Sequence, residues 1–192
     1  MQKRYPRNWV SVTEILNTVF RPYAGVPKSV LQQAQKDGKR LHKYIALILQ
    51  GIEVPFPLDL APTLTGFKNY VQHCIKKVLW VERYIKIPSI KVQGRGDAMV
   101  ILAGEKVSTL IDWKYYFSFT PLSKVLVDLQ TAAYAQGVLV TYKQGVAKRM
   151  AMHIEKGNPG GWPKCIPLKG QANAYRDFLW AHRMFERIKK AA

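Results

Sequence analysis

The chain has 192 residues, of which 48% are hydrophobic and 22% are charged, a mixture typical of a folded globular protein rather than a disordered tail. No apolar run approaches the roughly 20 residues that span a bilayer, and no apolar stretch of a signal peptide follows the basic N-terminus. We therefore expect a cytoplasmic protein that does not enter a membrane, with residues 1–192 folded as a single domain.

Basic side chains greatly outnumber acidic ones, with 30 Lys and Arg against 12 Asp and Glu and a formal net charge of +18. Such an excess repels itself unless a polyanion is nearby, and the release of counterions from phosphate drives the binding of Lys and Arg to nucleic acids. A merely soluble basic protein and a protein that binds acidic lipid are the alternatives. The charge favours nucleic acid as the partner and says nothing about catalysis.

The two cysteines, Cys74 and Cys165, are isolated in the sequence and are expected to be reduced thiols. They are too few for a four-cysteine iron–sulfur cluster. A zinc site that combines them with His42 and His73 is disfavoured, because no compact Cys-x-x-Cys or His-x-x-x-His pair occurs.

The first part of the chain is predicted to be helical. Ser11 and Glu14 form a Ser-x-x-Glu capping box with apolar residues behind it, which indicates a short first helix that ends at a break rich in proline and glycine. A longer helix is predicted over residues 28–50. A loop with three prolines over residues 51–62 precedes a third helix, predicted over residues 63–80.

The hydrophobic period then changes to that of strands. Strands are predicted over residues 81–87, 94–102 and 107–114, and the last two form an antiparallel hairpin. The remaining elements are a helix over 123–140, a strand over 147–154, a loop over 157–163, a short strand and a helix over 172–189. This order predicts a mixed α/β fold.

Three charged residues are expected to converge in the hairpin. Asp97 lies near the start of one strand, whereas Asp112 and Lys114 end the next and share a face because they are two residues apart. The turn falls near the midpoint between the two aspartates, so antiparallel pairing brings them together. Burying these charges without partners is costly, and a hard cation such as Mg²⁺ resolves the cost. The alternative is a structural ion pair of Asp112 with Lys114, with Asp97 in a turn.

Four short motifs occur in one order along the chain. They are Gly38-x-x-x-His42, Gly94-x-x-Asp97, Ile111-Asp112-x-Lys114 and Gln130-x-x-x-Tyr134. The ordered set resembles the PD-(D/E)XK nuclease superfamily, in particular its RecB-like branch and the phage exonucleases of that type. The resemblance implies a restriction-endonuclease-like fold, in which a central mixed sheet is flanked by helices and the N-terminal part is helical. It also implies a Mg²⁺- or Mn²⁺-dependent deoxyribonuclease, a phage-type exonuclease of DNA recombination or repair.

The same resemblance implies roles for individual residues. Asp97, Asp112 and Lys114 would be catalytic, and His42 and Trp113 would join the two aspartates at the metal. The residues that the resemblance implies to bind or support the substrate are Gln130, Tyr134, Glu82, Arg95 and Lys39. For His42 the alternative is an ordinary helix histidine, and for Gln130 and Tyr134 it is packing on the sheet. Glu82 could equally be a solvated charge at a strand end.

Residues 115–117 are aromatic and follow the catalytic strand directly, so they either stack on an unpaired base or close the core. The expected partners are DNA, single- or double-stranded, and a single-strand annealing protein. A catalytically silent DNA-binding module on the same fold and an endonuclease are the alternative functions.

Overall fold

A computed structural model describes residues 8–191 and contains five helices and six strands within that range. The helices are α1 (Val12–Phe20), α2 (Lys28–Leu49), α3 (Ala61–Cys74), α4 (Pro121–Tyr142) and α5 (Gln171–Ala191). The strands are β1 (Val10–Ser11), β2 (Ile75–Ile87), β3 (Val92–Leu102), β4 (Ser108–Tyr116), β5 (Lys148–Glu155) and β6 (Lys164–Leu168). The predicted mixed α/β fold, with a helical N-terminal part and a central mixed sheet flanked by helices, is confirmed. No helix in the described range combines the length and apolar character that a bilayer crossing needs.

The sheet is centred on β3. One side of β3 pairs with β2 in antiparallel fashion along its whole length. On the other side, β1 pairs in parallel with Val92 and Gln93, and β4 pairs antiparallel with residues 98–101. Strands β5 and β6 then extend the sheet beyond β4. The β1 ladder thus ends at residue 93 and the β4 ladder at residue 98, and we call the opening between the two ladders the gap in the sheet.

The two faces of the sheet carry separate cores. Helices α1, α4 and α5 cover one face, where their apolar side chains pack on Met99 and Leu110. Helices α2 and α3 cover the other face, packing on Val100 and Ile111. Successive side chains of a strand point to opposite faces, so the alternation along β3 and β4 assigns each residue to one core. Asp112 and Lys114 share the parity of Leu110 and therefore the face of α4.

Two boundaries differ from the prediction. The third helix ends at Cys74 rather than near residue 80, and β2 begins at Ile75, which pairs with Leu102. The prediction that the third helix continues over residues 75–80 was wrong. The apolar spacing there suits a helix or a strand, and pairing with β3 favours the strand. Strand β1 was not predicted, since two residues carry no readable period.

Gly137 on α4 lies against β2, and a Cβ at this position would overlap Ile85 Cγ2 and meet Cγ1 of Ile87 at 3.5 Å. We expect Gly137→Ala to lower the free energy of unfolding by about 1–3 kcal/mol, because the clash outweighs the better helix propensity of alanine. Gly38→Ala on α2 is the matched control: no atom lies within 4 Å of a Cβ there. That variant should gain up to about 1 kcal/mol. Urea unfolding measures both, and an unchanged or raised stability of Gly137→Ala would contradict the packing described.

Candidate functional site

The two aspartates of the hairpin face each other where β3 and β4 separate. The ladder between these strands pairs Ala98 with Ile111, and the next pair in the same register would be Asp97 with Asp112. The amide of Trp113 donates instead to Asp97 Oδ2 at 3.0 Å, so a side chain ends the ladder in place of a backbone carbonyl. Asp97 and Asp112 are both buried, at 7% and 1% exposure. The hairpin thus brings the two aspartates together, as its turn position predicts.

Two further side chains approach Asp97 from other elements. His42, on α2, lies with Nδ1 3.7 Å from Asp97 Oδ1. Glu82, on β2, stands opposite Asp97, since the pairs on either side of it join Val81 to Ala98 and residue 83 to residue 96. One potential ligand atom from each of His42, Glu82 and Asp97 lies within 4.8 Å of the others. The gap in the sheet therefore holds a cluster of one imidazole and two carboxylates.

Glu82 adopts a backbone conformation that is rare outside glycine, with φ of +54°. Left-handed backbone costs an L-residue roughly 1–2 kcal/mol, and such residues concentrate at functional sites. Its carboxylate is held by Arg95, with Nε 2.6 Å from Oε2, and the side chain is only 18% exposed. The sequence predicted a supporting residue or a solvated strand-end charge. The structure places Glu82 in the cluster and largely shielded from solvent, unlike a solvated strand-end charge, and its role stays a prediction.

Lys114 is anchored by two partners. Its Nζ lies 2.6 Å from Asp112 Oδ2, and it donates a hydrogen bond of 3.2 Å to Gln130 Oε1. Gln130 Nε2 in turn donates to the Tyr134 hydroxyl at 3.0 Å. The Asp112–Lys114 ion pair considered as the structural alternative is formed. Asp97, however, lies in a strand beside that pair rather than in a turn.

Gly94 explains how two of the sequence motifs meet. The ring of buried Tyr134 lies against Gly94, and a Cβ at this position would overlap Tyr134 Cε1. A glycine therefore lets α4 approach β3 closely enough for Gln130 to reach Lys114. Nothing in the sequence pattern singled out this contact, which depends on how the helix docks on the sheet.

Helix α4 is fixed to β5 by Arg149, a residue that the sequence pattern did not single out either. Its buried guanidinium donates to the Asp128 carbonyl and carboxylate at 2.8 and 2.7 Å, and to Thr131 Oγ1 at 3.1 Å. Asp128 and Thr131 flank Gln130 in the sequence. The clamp therefore holds the part of α4 that supports Lys114.

The electrostatics of the cluster show an excess of buried negative charge. Burial raises the pKa of Asp97 well above its usual range, and the neighbouring Asp112 raises it further, against Lys114. Burial also raises the pKa of Asp112, again opposed by Lys114. Burial alone would lower the pKa of Lys114, but the two aspartates outweigh it and the pKa is raised. Burial and the charge of Lys114 lower the pKa of His42 to about 3, against a backbone hydrogen bond at Trp113, so the imidazole is neutral.

A divalent cation fits this arrangement. In the part of the chain that the structure describes, the buried Asp112 Oδ1 has no hydrogen-bond partner. Carboxylate oxygens are the ligands that Mg²⁺ and Mn²⁺ prefer, and a neutral imidazole is a common metal ligand. The clustered residues that could hold the ion are His42, Glu82 and Asp97, and the carboxylate of Asp112 adjoins them across the hairpin. Trp113 supports these residues in two ways. Its backbone amide donates a hydrogen bond to Asp97, and the centroid of its ring lies 5.7 Å from that of His42.

Two of the predicted supporting residues lie at the margin. Arg95 is half exposed; besides its ion pair with Glu82, its guanidinium lies 5.5 Å from the centroid of the Tyr84 ring. Lys39 is exposed on α2, three residues before His42. Its ammonium makes none of the ion pairs found within residues 8–191. The structure therefore brings Arg95 to the cluster through Glu82 and leaves Lys39 on the surface beside it.

In comparisons with known proteins, no family model and no curated protein matches the sequence. Among solved structures, the chain is similar to a protein from Eubacterium rectale named "putative exonuclease", with a TM-score of 0.56 and 11% identity over 95% of this chain and 82% of that one. A structure of a protein named SSO0001 is more distant, with a TM-score of 0.42 and 15% identity over 95% and 79% of the two chains. The likeness to the Eubacterium rectale protein, at 11% identity, shows that the two chains share a fold.

Proposed function

We propose that this chain is a Mg²⁺- or Mn²⁺-dependent deoxyribonuclease of the PD-(D/E)XK superfamily, of the RecB-like type, with residues 1–192 acting as one nuclease domain. The observation that carries the proposal is the convergence of His42, Glu82 and Asp97 beside the Asp112–Lys114 pair. The fold shared with a protein named "putative exonuclease" and the net charge of +18 agree with a nucleic-acid substrate.

The residues of the candidate site have different roles in the proposed hydrolysis of a phosphodiester. The cation, when bound, polarises the phosphate and lowers the pKa of a bound water. Asp97, Asp112 and Glu82 would hold the cation through oxygen and offset its charge. Lys114 keeps an ammonium beside the carboxylates, where it orients the attacking water or stabilises the charge that develops on the phosphate. Gln130 holds the Lys114 ammonium in place through a hydrogen bond of 3.2 Å.

Cleavage assays on two forms of DNA test the proposal. End-labelled linear DNA and covalently closed circular DNA are incubated with Mg²⁺, Mn²⁺ or excess EDTA. We expect linear DNA to be degraded from its ends with either metal, circular DNA to be spared, and EDTA to stop the reaction. Cutting of the circle would identify an endonuclease. Binding without metal-dependent cleavage would identify a silent module and refute the proposal. Cleavage that persists in EDTA would also refute it.

DNA binding should also depend strongly on salt, because the net charge of +18 implies many phosphate contacts. Each phosphate neutralised contributes about −0.9 to the slope of log affinity against log salt. We expect a slope steeper than about −4, roughly five phosphates, measured in EDTA so that no cleavage interferes. A flat plot between low and physiological salt would argue against a phosphate-binding surface.

A single-strand annealing protein as a further partner stays a prediction from the resemblance.

A further inference from the structure

A groove of about 830 Å³ begins at Lys114 and Gln130 and extends between the first halves of α2 and α4. Its floor is formed by residues 114–118, the end of β4 and the two residues after it, and its size falls within the roughly 300–1,000 Å³ of typical ligand sites. Because Lys114 lines the groove and also pairs with Asp112, the groove is continuous with the candidate site. We call it the aromatic groove, for the lining side chains of Tyr23, Tyr115, Tyr116 and Phe117.

The aromatic residues are arranged outward from the cluster. Asp112, Lys114 and Tyr116 are each two residues apart on β4, so they share one face of the strand. Tyr23, which precedes α2, approaches Tyr116 and also lines the groove. Phe117, one residue further, is 73% exposed and therefore does not close the core. Tyr23, Val30 and Leu122 are also exposed and line the groove, so Phe117 is part of an apolar patch, and such patches mark binding surfaces.

Ammonium groups lie beside the aromatic rings of the groove. Lys114 and Lys156 line it, and each pairs with one carboxylate, Asp112 for Lys114 and Asp37 for Lys156. Lys156 Nζ lies 3.1 Å from Asp37 Oδ2, and also 4.7 Å and 5.7 Å from the ring centroids of Tyr115 and Phe117. Positive charge and exposed ring faces thus occur together, on a chain whose net charge is +18.

We propose that the aromatic groove binds one unpaired DNA strand, whose bases stack on Phe117 and the neighbouring tyrosines while its backbone runs toward Lys114. Duplex DNA presents its phosphates and hides its base faces, whereas a single strand offers both to a basic, aromatic-lined groove. The substrate of the site is accordingly single-stranded DNA or the unpaired end of a duplex. This inference rests on the proposed nuclease function for the identity of the polymer.

Binding measurements in EDTA test the groove apart from the chemistry. The anisotropy of a fluorescent single-stranded oligonucleotide and of the matching blunt duplex is measured with wild type, Phe117→Ala and Phe117→Tyr. Phe117→Ala should weaken single-strand binding by about 5- to 150-fold, the loss of one base stack, and leave duplex binding within about twofold. Phe117→Tyr keeps the ring and should bind like the wild type. The matched control is Trp180→Ala, which removes a 54%-exposed aromatic ring from α5, outside the groove, and should change neither affinity.

Several outcomes would overturn the inference. They are an unchanged single-strand affinity in Phe117→Ala, an equal loss for single strand and duplex, and an equal loss in Trp180→Ala. Self-association of the wild type that Phe117→Ala abolishes in sedimentation would assign the groove to a second copy of the chain. A wild type that cleaves no DNA with Mg²⁺ but binds single strands through Phe117 would refute the nuclease proposal and support the groove.

Discussion

Asp112→Asn is expected to lower the rate of metal-dependent DNA cleavage by on the order of 10²–10⁴ while the protein still binds DNA. The carboxylate is 1% exposed, and its Oδ1 has no hydrogen-bond partner within the described residues. Asparagine keeps the shape of the side chain and removes the charge that would hold the cation. The basic surface supplies most of the DNA affinity, so binding in EDTA should stay constant or tighten slightly. Single-turnover cleavage and anisotropy measure the two effects separately.

A matched control separates this effect from a general change in charge. Asp177→Asn removes a carboxylate from the exposed surface of α5 and should leave cleavage at the wild-type rate. Thermal unfolding checks that Asp112→Asn is folded, since the substitution takes the carboxylate partner from Lys114 but also relieves the repulsion between Asp112 and Asp97. A folded Asp112→Asn protein that cleaves as fast as the wild type would contradict the assignment of Asp112.

Lys114→Ala should lower the cleavage rate by on the order of 10²–10³, the cost of removing one group that stabilises developing charge. The loss should appear in kcat rather than in DNA affinity, because one ammonium beside the carboxylates adds little to a surface of net charge +18. Gln130→Ala should have a smaller effect in the same direction, since Lys114 keeps its ion pair with Asp112.

The control for this variant is Lys189→Ala, which removes an exposed lysine of α5 that pairs with Glu14 and does not line the groove. It should leave kcat unchanged. A folded Lys114→Ala protein that binds DNA and still cuts at the wild-type rate would show that the active site lies elsewhere.

The approach of Asp97 to Asp112 could be predicted because it depends only on local chain geometry. The turn near Gly104 lies midway between the two aspartates, so antiparallel pairing of β3 with β4 brings them side by side. The position of Glu82 could not be predicted in the same way. Strand β2 carries register shifts between Ile75 and Lys77 and between Val78 and Trp80. Each shift of one residue exchanges the two faces of a strand, so the sequence alone does not say that Glu82 stands opposite Asp97.

Contacts between the helices and the sheet could not be predicted from the sequence either. His42 was assigned by resemblance, but its 3.7 Å distance to Asp97 depends on how α2 docks beside the gap in the sheet. The contact between Gly94 and Tyr134 likewise depends on how closely α4 packs on β3. Both are set by tertiary packing, which leaves no periodic signal in the chain.

The central claim is that the gap between β3 and β4 holds the cation on which cleavage depends. Anomalous scattering from crystals of the wild-type protein grown with Mn²⁺ tests it most directly. We predict an anomalous peak within about 2.0–2.3 Å of carboxylate oxygens of Asp97 and Asp112, with Glu82 or His42 completing the protein ligands, and no such peak in Asp112→Asn. Mn²⁺ bound at another position, in a protein that cleaves DNA with Mn²⁺, would contradict the account.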